Sequence, residues 1–371
     1  MKTLNPLLVL LFTAGMACSS ADPGQQAYAP ANPQATPEAR QLFTRLLALQ
    51  DKGVMYGHQD DLMYGTTWWY EKDRSDVKEA VGDYPGVAGF ELGEIETGRE
   101  RSLDSVSFVQ ITEQVKFFHK LGGVITVSWH CTNPITSQLP GPKTANGPGS
   151  SWDVPAKDDP VKNRGEVKSI LPGGENHESF NQWLGILADY FLTWKDENDK
   201  PIPFLFRPWH EHSGDFFWWG NTRCTPQEYA DLWRYTVGFL RSKGLHNILY
   251  VYNTDKVYST EEFLTGYPGD EYIDMLSIDW YGSGPEFNEA VDKALNFVSA
   301  TARQKHKLAA LSECGNTSWD LVRIMQKYKL SYFLTWRNAY QPNPAMRWRM
   351  PNEGLSWMYH DPHTLFLRDI Q

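Results

Sequence analysis

The sequence is poor in cysteine, with 4 in 371 residues, and none of them stands in a C-x-x-C pair. A zinc ribbon or a dithiol redox motif is therefore absent. Positive charge is also short: 35 Lys and Arg stand against 45 Asp and Glu, for a formal net charge of -10. A surface that tracks phosphates needs clustered basic residues, so nucleic acid is a poor partner for this chain. Past the N-terminus no stretch approaches the ~18 consecutive apolar residues of a membrane span. There is no glycine-rich phosphate loop and no internal repeat. What the chain has in excess is aromatic surface, 15 Trp, 18 Tyr and 18 Phe. Core packing alone is served by Leu, Ile and Val. The excess divides between a tryptophan-rich core and flat faces kept for a ligand with flat apolar faces, such as a sugar ring.

The first residues combine Lys2 with an apolar run, Leu7–Phe12, and small residues up to Cys18. The run is too short to span a bilayer and reads as a secretory signal over residues 1–17. Gly15-Met16-Ala17-Cys18 resembles a bacterial lipobox, with Gly15 in place of the usual Leu. Lipidation of Cys18 would be the only membrane attachment, and the mature protein is expected in the periplasm or at the cell surface. Residues 18–37, with Pro23, Pro30, Pro33 and Pro37, read as a solvated tether. Residues 38–371 then form one catalytic domain, expected to act as a monomer. Cys131, Cys224 and Cys314 read as small buried hydrophobes, with one disulfide left open.

Eight β-rich runs follow: Val54–Gly57, Val87–Phe90, Val124–Trp129, Phe204–Arg207, Ile248–Tyr252, Met275–Ile278, Leu308–Leu311 and Tyr332–Thr335. Their continuous apolarity fits parallel strands buried on both faces, and helical patterns separate most of them. One helix opens at Thr225-Pro226-Gln227-Glu228, a capping box with proline at the first helical position. The fold class is thus α/β, a (β/α)8 barrel; a doubly wound sheet would need fewer strands or a phosphate loop.

In such a barrel the chemistry sits beyond the C-terminal strand ends. The runs end in His58 and Asp60, Glu91, Trp129-His130, Arg207 through Glu211, Asp279-Trp280-Tyr281, Glu313 and Trp336-Arg337. Glu211 and Glu313, after the fourth and seventh runs, face each other across a barrel mouth. Two facing carboxyls suit glycoside hydrolysis, one protonated to serve the leaving oxygen and one ionised. His212 adjoins Glu211 without H-E-x-x-H spacing, so a zinc protease has no support. A metal-dependent amidohydrolase barrel, a third possibility, would want paired histidines after the first strand and further His or Lys ligands after later ones, and the fifth and sixth offer none; neither metal nor cofactor is called for.

Arg207–Gly220 (RPWHEHSGDFFWWG) and Leu311–Gly315 (LSECG) resemble the acid/base and nucleophile signatures of glycoside hydrolase family 26. SWH with NP (128–134), SSWD (150–153), DWYG (279–282) and TWRNA (335–339) match in the family's order, so the resemblance runs from Tyr56 to the C-terminus. It implies a retaining β-mannanase on a (β/α)8 barrel, with mannan-type polysaccharide or manno-oligosaccharide as its partner. Glu211 would be the acid/base and Glu313 the nucleophile, with Tyr281 bonded to Glu313. His130 and His210 would bind hydroxyls of the reacting sugar, Trp336 would stack under it, and Arg337 and Trp152 would line the cleft on its non-reducing side. Arg207 would lie beneath the glutamates as a cation. Phe216 stands where the family usually has Trp, which bears on the leaving-group side. Trp218 and Trp219 remain open between cleft wall and core, while His58 and Glu91 read as supporting residues and Arg347 and Arg349 as a solvated rim. Other β-glycanase activities of the family, on mixed-linked glucan or β-1,3-xylan, and an inert carbohydrate-binding lipoprotein are the competing readings. The Gly- and Pro-rich loop from Cys131 to Glu175 is expected to shape the cleft and set product length.

Overall fold

The computed structural model describes residues 28–138, 147–154, 165–315, 318–338 and 352–371. The expectations for the signal segment, Cys18, the two stretches 139–146 and 155–164 of the long loop, and Arg347 to Arg349 fall outside the described residues.

Eight parallel strands close into a barrel: β1 (Val54–Gln59), β2 (Val87–Glu91), β3 (Val124–Trp129), β4 (Phe204–Pro208), β5 (Ile248–Thr254), β6 (Met275–Trp280), β7 (Leu308–Cys314) and β8 (Tyr332–Thr335). Each expected run is one of these strands. Closure comes from β1, which pairs with β2 through Gly57 to Gln59 and with β8 through Met55 to His58. A two-residue strand, β9 (Thr364–Leu365), adds to the start of β1, so the chain's last segment is tied to its first strand. Every strand residue is buried, because barrel interior and helical layer cover opposite faces. That is why these runs lack the polar alternation of a half-exposed sheet.

The helices between strands carry one apolar face each. In Pro226–Ser242 the buried residues Tyr229, Leu232, Trp233, Thr236, Val237 and Leu240 follow helical spacing. Its start has the anticipated box: Thr225 Oγ1 accepts from Glu228 N at 3.2 Å, and Glu228 Oε2 accepts from Thr225 N at 2.8 Å. Two differences from expectation are physical. The long loop after β3 is not wholly irregular, since Glu166–Ile170 is a short helix within it. The end of the supposed tether is docked, although Pro33 and Gln34 stay exposed: Ala31 N donates to Asp274 Oδ1 at 2.6 Å, Asn32 bonds His246, and Thr36 caps helix Pro37–Leu49. Those backbone and cap bonds dock residues 31–36 on the barrel, an outcome that proline content alone conceals.

Thr225→Ala should cost about 1 kcal/mol, the usual worth of an N-cap. The urea-unfolding midpoint measures it, and an unchanged midpoint would count against the cap's contribution.

Candidate active site

The fourth strand supplies both a cation and an acid. Arg207 lies within β4, and the turn beyond it bends sharply: Trp209 and Glu211 have φ of 53° and 55°. Left-handed backbone at a residue with a side chain costs about 1–3 kcal/mol and persists only where neighbours enforce it. Here three side chains do so. Tyr229 OH donates to Trp209 O at 2.6 Å, Trp219 Nε1 donates to His210 O at 2.8 Å, and Asn253 Oδ1 accepts from Glu211 N at 2.8 Å. Trp219 and Trp218 are thus settled as core: both are fully buried, and Trp218 Nε1 donates to Cys131 O at 2.8 Å. Neither offers a face to a ligand. Trp219, open in the sequence between cleft wall and core, supports the turn.

Opposite stand β6 and β7. Their register shifts where Ile278 pairs with Leu311 and Asp279 with Glu313, leaving Ser312 as the extra residue. Successive side chains of a regular strand point to opposite faces; a bulge lets two neighbours converge. Ser312 Oγ donates to Asp279 Oδ1 at 2.8 Å, and Glu313 Oε1 accepts from Arg207 Nη2. The second guanidinium arm, Nη1, donates to Asp279 Oδ2 at 2.7 Å. Tyr281 OH donates to Glu313 Oε2 at 2.5 Å, and burial raises the tyrosine's pKa, so the phenol keeps its proton.

One oxygen from each of Glu211, Asp279 and Glu313 lies within 4.8 Å of the others, and all three residues are buried. Such a cluster has the spacing to hold a metal ion, but Arg207 already bonds two of its members. One guanidinium balances one negative charge among three carboxyls. Glu211, which has no bond to Arg207, is the group pushed toward protonation: burial first, then Asp279, Glu313 and Asp255, drive its pKa well above the ordinary glutamate range. Burial also raises Asp279, against the pull of Arg207. Both Asp279 oxygens nevertheless receive N–H or O–H donors, an arrangement that fits the carboxylate form.

On the other flank of the pair, Glu91 organises two histidines. Although burial opposes it, the His130 imidazole and hydrogen bonds from His130 and Ser128 hold Glu91 at about 2. Glu91 Oε2 accepts from His130 Nδ1 at 2.7 Å, and His130 Nε2 lies 3.2 Å from His210 Nε2. Burial keeps His210 neutral. The Trp152 ring stacks on His130 at 4.8 Å, and the Trp336 ring lies edge-on to it at 6.2 Å. A cavity of about 970 Å³ opens here, lined by Asp104, His130, Ser151, Trp152 and Arg337 among others. Arg337 is held at 3.1 Å from Asp104 and donates to Tyr64 OH at 3.3 Å. Phe216 lies half-buried against Phe217, with ring centroids 4.8 Å apart.

The sequence therefore named both glutamates, Arg207, Tyr281, the histidines and the cleft aromatics. It missed Asn253 and Ser312. The fifth strand was the one whose end was passed over, although Asn253-Thr254-Asp255 is a polar break in an apolar run and could have been read. Ser312 lies inside the LSECG signature, but its own part gave no signal, because a bulge is not visible in composition. His58 and His212 play supporting parts, as expected of the first: His58 Nδ1 bonds Gln59 O, and His212 stacks on Tyr229 with ring centroids 3.9 Å apart.

A closed barrel with two facing glutamates, one paired to a buried arginine and a tyrosine, is the construction of a barrel glycosidase. The chain belongs to glycosyl hydrolase family 26, whose family model matches residues 31–369. A GH26 beta-mannanase from Bacteroides ovatus superposes with a TM-score of 0.81 at 36% identity, covering 90% of this chain and 96% of that one. A mannan endo-1,4-beta-mannosidase of Bacillus subtilis is 26% identical over 357 residues, 91% of this chain and 88% of the relative. That of Bifidobacterium adolescentis is 29% identical over 299 residues, 76% of this chain; the match spans only 27% of the longer relative.

Arg207→Met should leave two buried carboxyls without their cation and cost about 3–5 kcal/mol. The deficit should shrink as pH falls, because protonation neutralises the stranded carboxylates. Urea unfolding at two pH values checks this; a loss below about 1 kcal/mol would contradict the role of Arg207.

Proposed function

We propose that this protein is a retaining β-mannanase that hydrolyses β-1,4-mannosidic bonds by double displacement. The observation that carries the mechanism is the short approach of the two glutamates, with one carboxyl oxygen of each within 4.8 Å of the other. Retaining enzymes hold their carboxyls about 5–5.5 Å apart so that one can attack carbon directly; inverting enzymes leave about 6.5–9.5 Å for a water. The substrate class rests on the family and on the mannanases that resemble the chain over most of its length.

Glu313 attacks the anomeric carbon, with Arg207 and Tyr281 fixing its two oxygens. Glu211, kept protonated by burial and its charged neighbours, gives its proton to the leaving oxygen and then, as a carboxylate, takes one from the attacking water. His130, His210 and Trp336 surround the reacting sugar, and the cavity toward Arg337, with Trp152 on its wall, receives the chain on the non-reducing side. The leaving-group side then falls to Phe216, a smaller platform than Trp and one without an N–H. Activity should fall as pH rises through the Glu211 pKa, where the acid is lost.

Glu313→Ala should abolish turnover on every substrate, whereas Glu211→Ala should be spared on aryl glycosides with good leaving groups. General acid–base catalysis contributes ~10²–10⁴-fold, so the Glu211 variant's loss on polysaccharide should fall in that range. Near-normal activity of both variants on mannan would remove the assignment.

The protein is also proposed to work outside the cytoplasm, held by lipid on Cys18 after removal of residues 1–17. The support is the apolar run and the lipobox-like Gly15–Cys18. Cys18→Ala should move the protein from the membrane to the soluble fraction of cells; an unchanged distribution would argue against the anchor.

A further inference from the structure

Asn253, the penultimate residue of β5, bonds the turn that carries Glu211 and the ends of β6 and β7. Its amide is fully buried and fully used. Oδ1 accepts from Glu211 N at 2.8 Å. Nδ2 lies 2.8 Å from Asp279 Oδ1, 2.8 Å from Ser312 Oγ and 3.1 Å from Ser277 Oγ. One side chain on β5 thus joins the turn after β4 to the ends of β6 and β7.

The amide can stand in one orientation only. An asparagine has an acceptor oxygen and two N–H donors. Turned over, it would set NH2 against the Glu211 N–H and its oxygen against the Asp279 carboxylate, two repulsions in a buried place. As it stands, the Glu211 N–H in the left-handed turn is satisfied, and Asp279 Oδ1 receives donors from Asn253 and Ser312. Asp279 Oδ2 is taken by Arg207. Donors thus reach both oxygens of the Asp279 carboxylate.

We propose that Asn253 is a positioning residue that couples the acid/base to its electrostatic neighbour, its Oδ1 holding the Glu211 backbone in place and its Nδ2 holding Asp279 as a carboxylate beside it. The inference rests on the reading of Glu211 as the proton donor. The charged and titratable groups around Glu211 are Arg207 on β4, Asp255 after β5, Asp279 and Tyr281 at the end of β6, and Glu313 on β7. Asp279 is the strongest of the negative influences on Glu211 after burial itself. Loss of the donors to Asp279 favours its protonation, removes a negative charge from beside Glu211 and lets the Glu211 proton leave at lower pH. Loss of the acceptor for Glu211 N frees the strained turn and misplaces the acid.

These two actions separate in two variants. Asn253→Ala removes both; Ser312→Ala removes one donor to Asp279 and leaves the Glu211 N–H bond intact. The assay is kcat and kcat/KM against pH, on an unactivated manno-oligosaccharide and on an aryl β-mannobioside with a good leaving group. For Asn253→Ala, kcat on the oligosaccharide should fall about 100-fold, the low end of what general acid catalysis contributes. KM should change little, the aryl substrate should lose far less, and the alkaline limb should move to lower pH. Ser312→Ala should move the alkaline limb in the same direction without the selective loss on the oligosaccharide. Equal losses on both substrates, with the alkaline limb unmoved in both variants, would make Asn253 a packing residue and overturn the inference. Ser312→Ala reports on the charge coupling even if Asn253→Ala does not fold. A wild-type protein that cleaves neither substrate would overturn the functional reading itself, and an active one with uniform losses would overturn only the coupling.

Discussion

A single buried cation sets the terms for the whole catalytic face. Arg207 is 2% exposed and bonds Asp279 and Glu313, with Glu211 close by and unbonded to it. Three carboxyls and one guanidinium in a low-dielectric interior cannot all be charged without cost, so protons must settle somewhere. The geometry decides where. Asp279 and Glu313 receive donors on both oxygens, and Glu211 is left to hold a proton. One ionised and one neutral glutamate, close together across a barrel mouth, is what double displacement requires. The bulge at Ser312 belongs to the same design, because it turns the end of β7 so that Ser312 and Glu313 both meet the arginine's circle of partners.

Around that centre the aromatic excess divides into distinct jobs. Trp194, Trp209, Trp218, Trp219 and Trp233 are wholly buried, and several spend their N–H groups on the scaffold. Through Trp219 and Tyr229 the aromatic core pins the carbonyls of the strained turn that carries Glu211. Trp152, Phe216 and Trp336, by contrast, are only partly buried, and Trp152 lines the cavity. Stability and catalysis therefore share residues: the energy stored in left-handed Trp209 and Glu211 is offset by hydrogen bonds from Tyr229 in helix Pro226–Ser242, from Trp219 before it and from Asn253 on β5.

Much of this was legible in the sequence, for physical reasons. Strands buried on both faces leave uninterrupted apolar runs, so all eight were visible, and a barrel's rule that chemistry follows strand ends pointed to Glu211 and Glu313. The Thr225–Glu228 box announced its helix. What sequence could not convey was direction and strain. Nothing in the letters WHEH says that two of those residues are left-handed, or that Trp219 turns inward while Trp152 does not. Ser312 became part of the site through a register shift, which leaves no pattern, whereas Asn253 left only the polar break that ends the fifth run and no sign of its bond to a backbone N–H. The docking of residues 31–36 was hidden likewise, since a Pro- and Gln-rich segment looks solvated until its backbone finds partners such as Asp274.

The central claim is that the glutamates stand close enough for direct attack by Glu313 on carbon. The anomeric configuration of the first-formed product tests it without any variant. Proton NMR of manno-oligosaccharide hydrolysis, followed from the first minutes before mutarotation, should show the β-anomer appearing first and the α-anomer only afterwards. Initial appearance of the α-anomer would mean single displacement by water and would contradict the account.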